Sequence, residues 1–243
     1  MQRIHSLSLL FAFFICLNLS AQTLTKRAYE GTISHSIPIA ITLTQDGHSV
    51  FGTVVYKKKG TPITLVGKVE EGTLFLHELT RDGSVTGIYS LSPKGTGWTG
   101  SWNAPGSSAR ERTITLKEIS KATIPVPKLA NVTGTYAYSF GNEAGSGELL
   151  VQQLNPGKII VAVNAVTGGP AYNIATIEKH TLALRGNRAI YENHDFGTCK
   201  IQFTFSAGAV QLDYLDGAYG CGFGHNATAA GNYIRTSTGK PLF

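Results

Sequence analysis

From Tyr29 to Ile119 apolar and polar residues alternate in short runs, each stopped by a glycine-containing turn. Ile37, Ile39, Ile41 and Leu43 fall on one face of a period-two strand, with Ala40, Thr42 and Thr44 on the other. A strand has successive side chains on opposite faces, so this pattern predicts one buried and one more polar face. Gln45-Asp46-Gly47 turns the chain into Val50, Gly52, Val54 and Tyr56, and Lys59-Gly60 turns it into Ile63, Leu65, Gly67 and Val69. Glu71-Gly72 precedes Leu74 and Leu76; Arg81-Asp82-Gly83 precedes Val85, Gly87, Tyr89 and Leu91. Pro93-Lys94-Gly95 precedes Trp98, Gly100 and Trp102, and Ile114 and Leu116 close the run after a loop at Pro105-Gly106-Ser107-Ser108.

Counting the opening Ala28 to Ser34, this gives about eight strands at a spacing of about 11 residues, the rhythm of a barrel or sandwich. Short consecutive turns favour an up-and-down order, and eight such strands can close on themselves, leaving an interior filled by side chains or holding one small ligand. Gly52, Gly67, Gly87 and Gly100 lie within strand patterns and predict a strongly curved sheet.

Ser120 to Val132 breaks the pattern with Ile124-Pro125-Val126-Pro127. Proline cannot donate to a central ladder, so residues 120–132 are predicted to link two domains, 28–119 and 133–243. In the second, strands are predicted at Gly134–Phe140, Gly147–Leu154, Lys158–Asn164, Tyr172–Glu178, Thr181–Arg185, Arg188–Glu192, Thr198–Phe205, Ala209–Tyr214 and Gly231–Arg235. The fold class expected is therefore all-β: an eight-stranded barrel-like meander followed by a β barrel or sandwich.

Residues 1–21 have the layout of a secretory signal, with Arg3, a mostly apolar stretch from Leu7 to Leu19, and Ser20-Ala21 before the cut. The stretch is shorter than the roughly 20 residues that cross a bilayer, and no transmembrane segment is expected elsewhere. Cys16 follows Phe14-Ile15 and not the small residue a lipoprotein signal uses. An exported, periplasmic or extracellular protein is expected. Its two remaining cysteines, Cys199 and Cys221, then read as a disulfide, because that compartment is oxidising.

The formal charge of +6 dissolves when divided along the chain, with nine Lys/Arg against eight Asp/Glu in 28–119 and seven against seven in 133–243. Neither domain has the basic stripe that binds phosphate backbones, so nucleic acid is not an expected partner. Lys57-Lys58-Lys59 reads as a solvated turn.

No catalytic motif emerges. A nucleophile elbow and a phosphate-binding loop are both missing, and Gly220-Cys221-Gly222-Phe223-Gly224 reads as a tight turn pinned by the disulfide. None of His35, His48, His77, His180, His194 and His225 forms a pair with metal-ligand spacing, so no metal or cofactor is expected. His194-Asp195 is the best local acid/base candidate if it lies in a turn; His77-Glu78 lies in a strand and would diverge. Glu143, Glu148, Asp213 and Asp216 could supply paired carboxylates for glycan hydrolysis. Trp98, Trp102 and Tyr89 project from one face of adjacent strands and are the candidate ligand-binding residues.

Two resemblances follow from these residues. Cys199-Lys200-Ile201-Gln202-Phe203-Thr204-Phe205, Cys221-Gly222-Phe223-Gly224 and Gly231-Asn232-Tyr233 resemble a disulfide-closed β module of small exported bacterial proteins, some of them lysozyme-inhibitor-like. Gly87-Ile88-Tyr89 and Gly97-Trp98-Thr99-Gly100-Ser101-Trp102 are similar in architecture to lipocalin-like or avidin-like barrels. Together these imply a non-catalytic binding protein whose ligand is a small molecule, a glycan or a protein. The alternatives are an inhibitor of a cell-wall-degrading enzyme and a carboxylate-dependent glycan hydrolase. A small-molecule binder predicts a barrel cavity of ~300 Å³ or more beside the tryptophans, an inhibitor a filled barrel with a protruding loop, and a hydrolase two carboxylates within ~10 Å in a cleft.

Overall fold

The computed structural model describes residues 23–106 and 111–243. The expected signal segment, with Cys16, lies outside the described residues, as do Ser107 and Ser108. Eight antiparallel strands form a closed barrel: β1 (Thr23–Ile33), β2 (Ile37–Asp46), β3 (Ser49–Tyr56), β4 (Pro62–Glu70), β5 (Thr73–Leu79), β6 (Val85–Lys94), β7 (Gly97–Asn103) and β8 (Arg112–Pro125). Each strand pairs with the next, and β1 closes the ring on β8 through pairs such as Gly31 with Leu116. The inward phase is the apolar one, with Ile39, Ile41, Val54, Leu65, Leu74, Leu76, Leu91 and Ile114 almost completely buried. Each such Ile or Leu contributes about 2 kcal/mol by leaving water. A Cβ added at Gly52 or Gly67 would lie 1.9 Å from a carbonyl oxygen of the neighbouring strand, so the tight coil of the sheet depends on their lacking one.

β8 runs on to Pro125, and Leu24 and Thr25 pair with Ile124 and Thr123. The extended stretch expected to begin the linker at Ser120 is thus part of the first barrel, and the unpaired connection is 126–133. Pro125 sits where the ladder ends and no further backbone donor is needed.

The second half contains β9 (Gly134–Ser139), β10 (Ser146–Asn155), β11 (Lys158–Val166), β12 (Ile174–Ala183), β13 (Arg188–Asn193), β14 (Cys199–Ser206), β15 (Ala209–Asp216) and β16 (Gly231–Ser237). A 3₁₀ turn spans Ala218–Cys221. The strands are ordered β12-β11-β10-β9-β16-β15-β14-β13, the same up-and-down winding as the first barrel, with β9 paired to β16. This barrel is nearly closed. Its two edges, β12 and β13, are hydrogen-bonded to each other only at Arg185 and Arg188 among the described residues. The disulfide Cys199–Cys221 ties the start of β14 to the 3₁₀ turn. Two predicted strands, Tyr172–Glu178 and Thr181–Arg185, are one strand. A bulge sets Ile177 against Val163 but His180 against Val161, and the buried phase moves from Ala175 and Ile177 to Leu182. No helix among the described residues is long and apolar enough to cross a membrane.

The barrels are joined along the outer face of β2–β4. Asp46, Ser49 and Lys68 lie in register across these strands, and each reaches into the second barrel. Asp46 pairs with Arg188 and accepts from Asn187, Ser49 Oγ donates to Gln211 at 2.8 Å, and Lys68 Nζ meets Asp213 at 3.2 Å. The adjacent row supplies Phe51 and Val66, which join the second barrel's apolar core.

His77 follows Val66 in that row, edge-on to Phe140 and within 3.1 Å of the Asn232 amide. Burial between the barrels holds its imidazole down at about 4, against about 6.5 when unfolded. The folded chain therefore binds fewer protons between these values. Its stability is complete above pH ~6.5 and falls as pH drops towards 4, by about 2 kcal/mol at pH ~5. Urea midpoints at neutral and acid pH should show this slope, and His77→Gln should flatten it; equal slopes in the two proteins would remove the assignment.

Candidate functional site

Tyr89 and Trp102 are cross-strand partners facing the interior of the first barrel, and Trp98 faces inward nearer its other end, beside Tyr29, Leu43 and Val50. The interior between them is filled. Tyr89 is fully buried, and the space beside Trp98 inside the barrel amounts to about 20 Å³. On the outside, Trp98 also borders a surface hollow of about 370 Å³ with Arg27, Pro93 and Lys121.

At the Trp102 end the filling is polar. Glu78 follows Leu74 and Leu76 on the inward phase and is buried. Its Oε2 accepts from the hydroxyls of Tyr56 at 2.8 Å and Tyr89 at 2.7 Å, and its Oε1 from Thr86 at 2.9 Å. Thr86 reaches it because a bulge sets Gly87 against Glu78 and Val85 against Leu79, leaving Thr86 as the extra residue. A Cβ on Gly87 would lie 2.4 Å from the Trp102 indole nitrogen, so this glycine makes room for the ring. Burial, and then the Glu78 charge, pushes both tyrosine hydroxyls up, so they remain donors. The network was legible as a carboxylate on the apolar phase of its strand, and sequence reasoning passed over it. The Glu78 carboxylate is satisfied by three hydroxyls, while the Trp102 indole N–H beside it is buried without a hydrogen-bond partner; the cluster is part of the barrel's filling and not an open site.

A large open cleft, about 920 Å³, lies at the seam between β12 and β13. A hairpin ordinarily pairs along its length. Here Tyr191 stands edge-on to His180, while beyond them Gly224 of the disulfide-pinned segment donates its N–H to Ile174 at the far end. The seam is framed by two strands, a hairpin tip and a pinned loop. Its rim carries Glu178, Glu192, Asn193, His194 and Asp195.

At the loop end of the seam, residues 194–198 and 217–225 lie against each other. Gly197 approaches the α-carbon of Gly220, and the disulfide holds the second loop to β14. Gly222 has φ of 71°, a left-handed conformation that favours glycine, and a Cβ there would stand 2.3 Å from the Phe196 ring. The ring lies against the backbone on one side and faces solvent on the other. Phe196 is 73% exposed, and Tyr219, on the adjoining turn, is fully exposed. The expected disulfide-pinned turn is present, and it carries a pair of outward aromatics that the sequence pattern did not single out.

The acid/base candidates are placed as follows. His77 and Glu78 point to opposite sides of the barrel wall, as their strand position requires. His194 lies after β13, as the turn reading requires, but its Nε2 meets Glu192 at 3.2 Å and not Asp195. Lys200 also meets Glu192, and the His194 and Glu192 side chains are 66% and 45% exposed. Groups so solvated interact weakly and lack the dry surroundings that tune a catalytic acid or base. Asp213 is taken up by Lys68; Glu148 is exposed on β10, and Glu143 and Asp216 are exposed elsewhere. None of these four lines the seam. Among the described residues no group of three His, Cys, Asp or Glu side chains is placed to hold a metal ion. Lys57-Lys58-Lys59 is an exposed turn, with Lys57 paired to Glu30 at 2.9 Å. Comparison with protein-family models, with curated proteins and with solved structures finds no match to this chain.

Proposed function

We propose that this chain is an exported, non-catalytic binding protein that takes a protein partner on the disulfide-pinned loop end of its second barrel. The observation that carries the reading is the exposure of Phe196 and Tyr219 on two loops held by Cys199–Cys221. Large aromatics displayed on a pinned scaffold lose little conformational freedom on docking, and such residues dominate binding energy at protein interfaces. The filled first barrel weighs against a ligand held there, and the solvated rim of the seam weighs against catalysis. The leader-like residues 1–21 and the disulfide together support export.

The resemblance of the C-terminal module to lysozyme-inhibitor-like proteins names the first partners to try. The mature protein should slow cell-wall hydrolysis by at least one of a panel of lysozymes and bacterial muramidases. Replacing Phe196 and Tyr219 together by serine should weaken inhibition at least about 30-fold, the loss of one ~2 kcal/mol anchor or more. A double variant that inhibits as well as the parent, or a parent that leaves the whole panel unaffected, removes the reading. Native mass spectrometry that finds a small molecule retained by the parent would favour the calyx instead.

A further inference from the structure

We propose that the cleft between the barrels is a separate binding site for an uncharged, hydroxyl-rich molecule of monosaccharide size. It encloses about 350 Å³ and lies where the outer face of β2–β4 meets the β14–β15 hairpin tip, beneath the connecting residues Val126 to Leu129. This volume falls at the lower end of small-molecule sites, and domain interfaces are where such sites concentrate.

The floor is a row of hydroxyls. Thr42, Thr53 and Thr64 are in register on three neighbouring strands, so their side chains stand about 4.8 Å apart on one face. Each hydroxyl can donate one hydrogen bond and accept two. None of the three has a protein partner among the described residues, and none is sealed from the cleft. Elsewhere in the same barrel Thr80 bonds Asp82, Thr86 bonds Glu78 and Thr99 bonds the Ile114 carbonyl, whereas Thr44, Thr113 and Thr115 have no side-chain partner among the described residues; what sets the floor apart is that three such hydroxyls stand in one row beneath the second barrel. Across the cleft stands Asn187, 8% exposed. Its amide nitrogen is spent on Asp46 and the Phe205 carbonyl, while its oxygen accepts nothing from the described residues.

Charge selects against ions. The carboxylate nearest the floor, Asp46, is already neutralised by Arg188, and Lys26, which also lines the cleft, is an exposed side chain whose charge is screened by solvent. A cation brought to the threonine row would lose its hydration without gaining a free counter-charge, and an anion would gain only the solvent-screened one of Lys26. Phe51 and Leu129 supply the apolar wall that the C–H face of a sugar needs.

This site is independent of the loop end and is tested separately. The intact mature protein, with labelled Thr, Leu and Val methyl groups, is titrated with D-glucose, N-acetyl-D-glucosamine and myo-inositol, and with D-glucosamine and D-glucuronate as charged counterparts. At least one uncharged probe should bind with a Kd of about 1 mM or tighter and shift the methyls of Thr42, Thr53, Thr64 and Leu129. Thr53→Val, which keeps the strand shape and removes the central hydroxyl, should weaken it about tenfold, and Thr42→Val likewise. Thr99→Val, away from the cleft, should leave affinity unchanged. No shift with any uncharged probe, equal binding of the charged counterparts, shifts confined to another face, or full affinity in well-folded Thr53→Val and Thr42→Val overturns the proposal.

Discussion

Glu78→Ala should cost the first barrel about 3–5 kcal/mol, the largest single-residue loss expected in this protein. The carboxylate receives three hydroxyls inside a closed wall, and its removal leaves those of Tyr56 and Tyr89 facing a void. Hydrogen bonds to a charged group are worth about 1.5–3 kcal/mol each, and every buried donor left unpaired keeps its desolvation penalty. At about 2–4 °C per kcal/mol for a chain of this size, the melting temperature should fall by roughly 6–20 °C. The decisive control is Glu78→Met combined with Tyr56→Phe and Tyr89→Phe. It removes donors and acceptor together and should recover most of the loss, because unpaired groups cost more than the absence of a network. A Glu78→Ala protein within 1 kcal/mol of the parent would show that the cluster carries no such burden.

Replacing both Cys199 and Cys221 by serine should lower unfolding free energy by about 3 kcal/mol, since the closed loop has a sequence separation of 22. A local consequence should accompany the global one. Phe196 rests on Gly222, next to the pinned residue, so without the bond the two loops have to be ordered by the partner itself. Fixing a residue's backbone costs about 1–2 kcal/mol. Partner affinity should therefore fall even where the variant remains fully folded. Denaturant midpoints read the first effect and binding below the transition reads the second. An unchanged midpoint would show that the reduced chain is already constrained by other means.

The alternation of side chains made the strands of both barrels readable, because a period of two survives wherever one face is buried. It failed where that period was interrupted locally. Lys179-His180 looks like a gap between strands because the polar run around it mimics a turn, whereas the backbone absorbs it in a bulge. Pro125 looked like the middle of a linker because proline's missing donor is harmless at the end of a ladder. The sites were less legible still. Trp98, Trp102 and Tyr89 drew notice as aromatics on one face, yet whether a barrel is hollow depends on how all inward side chains fill it. Phe196 sits in a polar loop with no periodicity to mark it, and its seat on the pinned loop depends on a glycine 26 positions later in the chain. The threonine row reads as an ordinary solvent face until the second barrel is folded over it.

Asp46, Ser49 and Lys68 have one more consequence, for motion. Three neighbouring strands grip β13 and β15 at once, so the two halves cannot swivel about their connector without breaking several polar contacts together. The loop end and the threonine floor are thereby carried on a single frame, like two stations joined by the same beam.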